Sequence, residues 1–241
     1  MPVRQRQEIQ EVLWKMRTVL KRLVFCWTSV NLLTLSFPPF NIGIFAWFAF
    51  VPLFFVLQEL SIPGAFLTAY LAGVIFWAFT IYWLIHVTLP GMIVAVIYLA
   101  LYFCIFGVLF RLFIPFRPFA VITIPSAWVA LEFFRAHLLT GFGWGLLGYS
   151  QHKNLRIIQI ADILGAYGVS FLIVMVNVGI YLLIQSIKFS ASSSVKSLQE
   201  NTGKLTAAAG GIVLSLVIVT FCLSASVAYG IRRMSDVLPG E

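Results

Sequence analysis

Charged side chains are scarce in this sequence of 241 residues: they make up 10% of it, whereas hydrophobic residues make up 61%. A soluble globular domain carries roughly 25% charged residues, so this chain has too little polar surface for a water-soluble fold. It also lacks the alternation of apolar and polar residues that is typical of a membrane β-barrel. These absences exclude a soluble domain and favour helices within a membrane.

Cysteine and histidine are also rare, with three of each. A reactive thiol needs surroundings that stabilise the thiolate, and usually a nearby base. No such base adjoins the cysteines, and no thiol or carboxylate stands at ligand spacing from the histidines. We therefore expect no catalytic nucleophile, no metal site and no cofactor here. The residues concerned are Cys26, Cys104, Cys222, His86, His137 and His152.

What the sequence does contain is a series of long uncharged runs, each near the roughly 20 residues that cross a bilayer. In hydrocarbon the backbone amides must be paired within each segment, so these runs are predicted to be helices. The fold class is therefore all-α, a polytopic membrane protein of about seven transmembrane helices, with its transmembrane domain at 23–229. The predicted spans are 22–37, 43–58, 64–85, 91–110, 113–135, 166–187 and 207–229.

The segments outside these spans are polar. Residues 1–22 are basic with apolar residues at helical spacing, which predicts a cytoplasmic helix on the membrane surface. Residues 188–206 are rich in Ser, Lys and Gln and are predicted to form a flexible loop. The first two spans share a Pro38-Pro39 turn, so both two crossings and a re-entrant hairpin fit them. Residues 230–241 are predicted to be a tail on the outer face.

The distribution of Lys and Arg predicts the orientation of the chain. With a cytoplasmic N-terminus, eleven of the 16 basic residues fall on the inner side, as the positive-inside rule requires. The inner residues are Arg4, Arg6, Lys15, Arg17, Lys21, Arg22, Arg111, Arg117, Lys188, Lys196 and Lys204, and the outer ones are Arg135, Lys153, Arg156, Arg232 and Arg233. Because the net charge of +8 gathers at span ends, it predicts contact with lipid headgroups, and nucleic-acid binding is not expected.

The long connection at 136–165 is unusually apolar. A loop with Trp144, Leu146 and Leu147 would not lie free in water, so it is predicted to pack against the helices. Just before it, Glu132 and Arg135 stand three residues apart on one helical face. Two interpretations remain open: a local ion pair that caps the helix, or a headgroup site formed with the loop.

One block of sequence carries a family resemblance. The stretches WVALEFFRAHLLTGFGWGLLGYSQ (128–151) and IQIADILGAYGVSFLIVMVNV (158–178) resemble the membrane domain of bacterial apolipoprotein N-acyltransferase. Weaker matches are LSFPPFNIGIFAWFAFVPL (35–53) and FWAFTIYWLIHV (76–87). Gly143 departs from this pattern, because the family usually has Pro there, and it frees the backbone of the turn.

The resemblance implies an activity and a location. Members of this family transfer an acyl chain from a phospholipid to the α-amino group of a diacylglyceryl-lipoprotein in the bacterial inner membrane. The chemistry is implied to reside in a nitrilase-like domain with a Glu-Lys-Cys triad, and no position of this sequence matches that triad. The implied partners are therefore the phospholipid, the lipoprotein and a separately encoded nitrilase-like chain, without which this chain is expected to be inactive.

By the same resemblance, eleven residues are expected to bind lipid or substrate, and none is expected to be catalytic. Three other interpretations stay open: an inactive relic, a small multi-span transporter, or a structural membrane protein. The expected site residues are Tyr82, Trp83, Glu132, Arg135, Phe142, Trp144, Tyr149, Gln151, Tyr167, Ser170 and Asn177.

Overall fold

A computed structural model describes residues 3–139, 141–192 and 202–237, which form one helical bundle. Within these residues the chain has eight α-helices, three short 3-10 helices and no strand. The α-helices are α1 (Val3–Leu35), α2 (Phe50–Leu57), α3 (Ile62–Thr80), α4 (Leu89–Phe113), α5 (Arg117–His137), α6 (Leu155–Ile158), α7 (Ala161–Ser192) and α8 (Thr202–Val237). The 3-10 helices are Gly43–Trp47, Tyr82–His86 and Leu147–Gln151.

Five described helices are long and apolar enough to cross a membrane, namely α3, α4, α5, α7 and α8. The predicted all-α membrane fold is confirmed, whereas the predicted count of about seven spans is not. The predicted span 43–58 forms a 3-10 helix followed by α2, whose eight residues rise only about 12 Å. That is less than half of the roughly 30 Å hydrocarbon core.

The helix starts are encoded locally. Ser61 caps α3 and Thr88 caps α4, each hydroxyl accepting from a glycine N–H three residues later at 3.4 Å. A proline occupies the first turn of both helices, where its missing N–H has no intrahelical partner to lose. In α7, Gly165 has φ 65° and interrupts the helix, just before the predicted span that starts at residue 166.

Aromatic rings fill the centre of the bundle and hold the short α2 there. Phe54 of α2 stacks on Phe110 of α4 at 4.3 Å between ring centroids. Phe50 meets the Trp128 ring of α5 edge-on at 4.8 Å. A helix too short to span the membrane is thus buried among longer ones, where its apolar side chains are covered on all sides.

Helices extend into all three polar segments, of which residues 1–22 were the one predicted to be helical. α1 continues without a break past residue 22, and α8 runs through residues 230–237 of the predicted tail to Val237. Residues 188–192 and 202–206 of the predicted loop are helical as well. The rest of that loop, 193–201, and the last four residues of the tail lie outside the described residues.

Candidate functional site

The apolar connection between α5 and α7 folds back onto the helix ends, as predicted. We call residues 138–160 the outer segment, after its predicted side. It contains the 3-10 helix Leu147–Gln151 and the short α6, and Leu146 and Leu147 are buried. Its polar backbone groups have to be satisfied where they leave water, and side chains from the surrounding helices do this.

Arg135 holds the first part of the outer segment. Although only 3% exposed, its guanidinium donates to the carbonyls of Phe142 (3.2 Å), Trp144 (2.6 Å) and Gly145 (3.4 Å). Its carbon Cζ lies 4.8 Å from the centroid of the Trp77 ring, a cation–π distance. The planar five-donor guanidinium suits this task, since it binds three carbonyls of one turn at once.

Glu132 holds the next part. It is equally buried, and its Oε1 accepts from the Leu147 N–H at 2.6 Å. The ion pairs recorded among the described residues do not include Glu132 with Arg135. The recorded hydrogen bonds of both side chains thus go to the loop that follows, and the headgroup site stays a prediction.

Two further predicted residues anchor the 3-10 helix. Ser170 Oγ on α7 accepts from the Gly148 N–H at 2.8 Å. Gln151 Oε1 accepts from the Trp47 indole at 2.9 Å, and its amide donates to the Gly43 carbonyl at 2.7 Å. The outer segment is thereby tied to α7 on one side and to the start of the second predicted span on the other.

Asn177 lies elsewhere, in the middle of α7. Its Oδ1 accepts from the Phe50 N–H at 2.9 Å, and its Nδ2 donates to the Ala46 carbonyl at 2.8 Å. The Phe50 N–H belongs to the first turn of α2, where amides have no intrahelical partner, and the Ala46 carbonyl belongs to the 3-10 helix just before it. The sequence predicted an interhelical hydrogen bond for this residue, and the structure shows one to the backbone.

Beside the outer segment lies a cleft of about 740 Å³, which we call the aromatic cleft. Trp83 and Trp144, which both line it, are stacked with ring centroids 4.8 Å apart. Tyr82 and Tyr149 are about half exposed on its walls. Its lining includes Phe37, Pro38, Pro39, Thr80, Ile81, Tyr82, Trp83, Gly143, Trp144, Gly145, Tyr149 and His152.

The expected site residues therefore fall into groups. Tyr82, Trp83, Trp144 and Tyr149 come together in the aromatic cleft, whereas Glu132, Arg135, Gln151 and Ser170 hold the segment that forms one wall of it. Phe142 bridges the two groups, since its ring meets both Trp77 and Trp144. The ring centroid of Tyr167 lies 6.0 Å from that of Phe133, and Asn177 lies apart from the cleft.

Sequence reasoning missed several lining residues of the cleft. Thr80 and His152 lie there, and so do Pro38 and Pro39, for which the sequence predicts only a turn. The sequence feature that these residues share is a position near the end of a predicted span. Many residues outside the cleft have that feature too, so it does not identify the lining. Only the return of the outer segment to the end of α3 distinguishes them.

Comparisons with known proteins show the family of this sequence. Residues 29–179 match the family described as apolipoprotein N-acyltransferase N-terminal domain. An apolipoprotein N-acyltransferase from Geobacter metallireducens is 36% identical over 217 residues, covering 84% of this chain and 38% of that protein. One from Photobacterium profundum is 32% identical over 172 residues, covering 66% and 33%.

A third relative, apolipoprotein N-acyltransferase 1 of Treponema denticola, is 30% identical over 157 residues, covering 65% of this chain and 28% of its own. The chain thus spans about a third of the length of the curated relatives it matches. The match with the family covers more than half of the sequence and includes both the outer segment and the helices that hold it. This membrane protein belongs to the apolipoprotein N-acyltransferase family.

Proposed function

We propose that this chain is the membrane part of a phospholipid-to-lipoprotein N-acyltransferase, and that the aromatic cleft receives the acyl chains of the substrates. The cleft is the observation that carries the proposal. Its volume falls within the roughly 300–1,000 Å³ of small-molecule sites. Its walls are largely aromatic, and the Tyr82 and Tyr149 hydroxyls and His152 add polar groups.

Such a lining suits a lipid that leaves the bilayer sideways. Tyr and Trp have an apolar body and a polar tip, which places them at the boundary between hydrocarbon and headgroups. Acyl chains would lie against the rings of Trp83 and Trp144, while the headgroup end would meet the hydroxyls and water. The cleft lies where α3 ends, at the end of the bundle that carries the outer segment. A bound lipid there would contact the hydrocarbon on one side and the headgroup region with its water on the other.

In this proposal Arg135, Glu132, Ser170 and Gln151 are positioning residues. Their polar atoms bind backbone groups of the outer segment, which supports a role in holding Trp144 and Tyr149 against the cleft. Asn177 would act one step further away, through α2. Lipid and lipoprotein would then meet the aromatic residues, and the buried charges would keep those residues in place.

The acyl-transfer chemistry is proposed to come from a nitrilase-like catalytic part outside these 241 residues. Cys104 is buried, and Cys26 and Cys222 are half-buried within α1 and α8. A nucleophilic thiol needs an exposed, thiolate-stabilising setting, which these positions do not offer. The proposed location is the bacterial inner membrane, with the N-terminus cytoplasmic and the outer segment on the opposite face.

The test is complementation in a bacterium depleted of its own N-acyltransferase. The chain is expressed alone or together with a nitrilase-like domain, and triacylated lipoprotein is measured by mass spectrometry. We expect no triacylation from the chain alone and measurable triacylation from the pair. Triacylation by the chain alone would contradict the proposed division of labour.

The aromatic cleft is tested in the same assay with Trp144→Ala. Loss of one ring from the Trp83–Trp144 stack is expected to lower the rate about two- to tenfold, since such pairs are worth about 0.5–1.5 kcal/mol. Trp14→Ala is the matched control, because Trp14 is exposed on α1, far along the chain from the cleft. Equal rates for the two variants would refute the assignment of the cleft.

A further inference from the structure

A second opening lies on the other half of the bundle, between α1, α2 and α3. It has a volume of about 490 Å³, and we call it the α1 groove. α1 contributes Val19, Leu23 and Trp27 to its walls, and α3 contributes Leu71 and Ile75. The groove is open along the helices, so its apolar walls face the space that lipid chains occupy in a bilayer.

The groove is as long as one leaflet is deep. It extends along α1 from Val19 to Val30, a rise of about 16 Å at 1.5 Å per residue. Half of a hydrocarbon core of roughly 30 Å is about 15 Å. An acyl chain entering at the end near Val19 would therefore be covered along most of its length.

That end of the groove has a net positive charge. Glu59 Oε1 lies 3.2 Å from Lys21 Nζ, and Glu59 Oε2 lies 3.5 Å from Arg22 Nε. One carboxylate thus stands between two cations, and Arg22 itself lines the groove. Arg17 lies one helical turn before Lys21, on the same face of α1.

We propose that the α1 groove binds an anionic glycerophospholipid of the adjacent leaflet, with an acyl chain along α1 and its phosphate at Lys21 and Arg22. Apolar walls alone would take any chain, but the excess cation favours a headgroup with a net negative charge. This lipid site would be separate from the aromatic cleft, which lies at the opposite end of α3.

The first experiment is lipid exchange on the purified full chain, followed by native mass spectrometry. Phosphatidylglycerol and phosphatidylcholine with the same acyl chains compete for retention. We expect retention to favour phosphatidylglycerol, and the preference to fall about fivefold for each basic residue removed in Lys21→Gln and Arg22→Gln. Lys153→Gln with Arg156→Gln is the matched control, because it removes the same charge from the outer segment and should leave the preference unchanged.

Glu59→Gln separates lipid binding from a purely structural role. Among the described residues it removes the one carboxylate that pairs with both cations, and it should raise the preference for phosphatidylglycerol. If the three charges only hold α1 against α2, this variant would weaken the groove and lower retention. A lower or unchanged preference in Glu59→Gln, or equal retention of the two lipids by the unaltered chain, would overturn the proposal.

The position of the acyl chain is tested by fluorescence. Phosphatidylglycerol with brominated acyl chains quenches nearby tryptophans, and Trp27 lies on the groove wall. The double variant Lys21→Gln with Arg22→Gln is expected to lower this quenching, because it weakens lipid binding. Trp27→Phe is expected to remove the same part of the quenching, because it removes the tryptophan that the lipid contacts. Quenching that is unchanged in Trp27→Phe would place the lipid outside the groove.

Discussion

Glu132 and Arg135 are costly residues for a membrane protein, because both are buried in a helix that is apolar enough to span the bilayer. Their cost is offset by what they bind. Arg135 donates to three backbone carbonyls and Glu132 accepts one backbone N–H, all in a loop that would otherwise bury unpaired polar groups. The two side chains thus supply the loop backbone with hydrogen bonds that backbone groups within a regular helix supply to each other.

Arg135→Ala is therefore expected to be strongly destabilising. It removes the donors of three carbonyls, each of which costs about 1 kcal/mol or more when left unpaired, so we expect a loss of about 3 kcal/mol or more. Unfolding of the purified chain in detergent is the measurement. Arg156→Ala, at an exposed position of the outer segment, should change stability by no more than about 0.5 kcal/mol. Equal effects of the two substitutions would show that Arg135 does not hold the loop.

Glu132→Gln separates charge from hydrogen bonding at the same site. The amide oxygen still accepts the Leu147 N–H, so this variant should cost less than Glu132→Ala, which leaves that donor unpaired at a cost of about 1–3 kcal/mol. Unfolding free energies of the two variants in one detergent provide the comparison. Equal losses in the two variants would mean that the charge, which both remove, matters more than the accepted bond.

At the scale of elements, the turn between α5 and the 3-10 helix Leu147–Gln151 depends on glycine conformation at some positions and not at others. Gly145 has φ +66°, and a Cβ there would stand 3.0 Å from ring carbons of Trp77. Gly143 has only the Ala136 Cβ near its own Cβ position, at 3.9 Å. The space at residue 143 thus accepts a side chain, in accord with the proline expected there by resemblance.

These two glycines give opposite predictions for the same substitution. Gly145→Ala should destabilise the chain by about 1–2 kcal/mol, because it forces an L-residue into the left-handed region beside Trp77. Gly143→Ala should be neutral or stabilise by up to about 1 kcal/mol, since it restricts the unfolded chain. Thermal unfolding, together with the emission of Trp144, measures both. A loss in Gly143→Ala as large as that in Gly145→Ala would contradict the open space at residue 143.

For the whole molecule, the far end of the last helix is joined to the outer segment and to the first turn of α7. The Tyr229 hydroxyl donates to Asp162 at 2.7 Å, and Arg233 Nε lies 3.5 Å from the same carboxylate. Gly230 packs so closely against the Arg156 carbonyl that a Cβ would overlap it. The C-terminal end of α8 thus stands beside the segment that forms the aromatic cleft.

The predicted orientation places this end of the bundle outside the cell membrane. In a chain whose three cysteines are replaced by Ala, we expect Lys153→Cys to react with a membrane-impermeant maleimide in osmotically opened bacteria whose inner membrane is intact. Lys15→Cys should react only after that membrane is permeabilised. The reverse pattern would mean that the positive-inside rule fails for this chain.

The sequence by itself determined that the chain is a helical membrane protein of this family, because scarce charge and long apolar runs leave few other folds, and because residues 128–178 carry the family pattern. It also indicated that the outer segment packs against the helices, since apolar loop residues avoid water. Only the tertiary structure decided what the polar residues do. Glu132, Arg135, Ser170, Gln151 and Asn177 bind backbone groups that are from seven to more than 100 positions away in sequence. The tertiary structure also decided that α2 is buried without spanning, because a helix of eight residues depends on the packing around it and has no periodicity long enough to show its place.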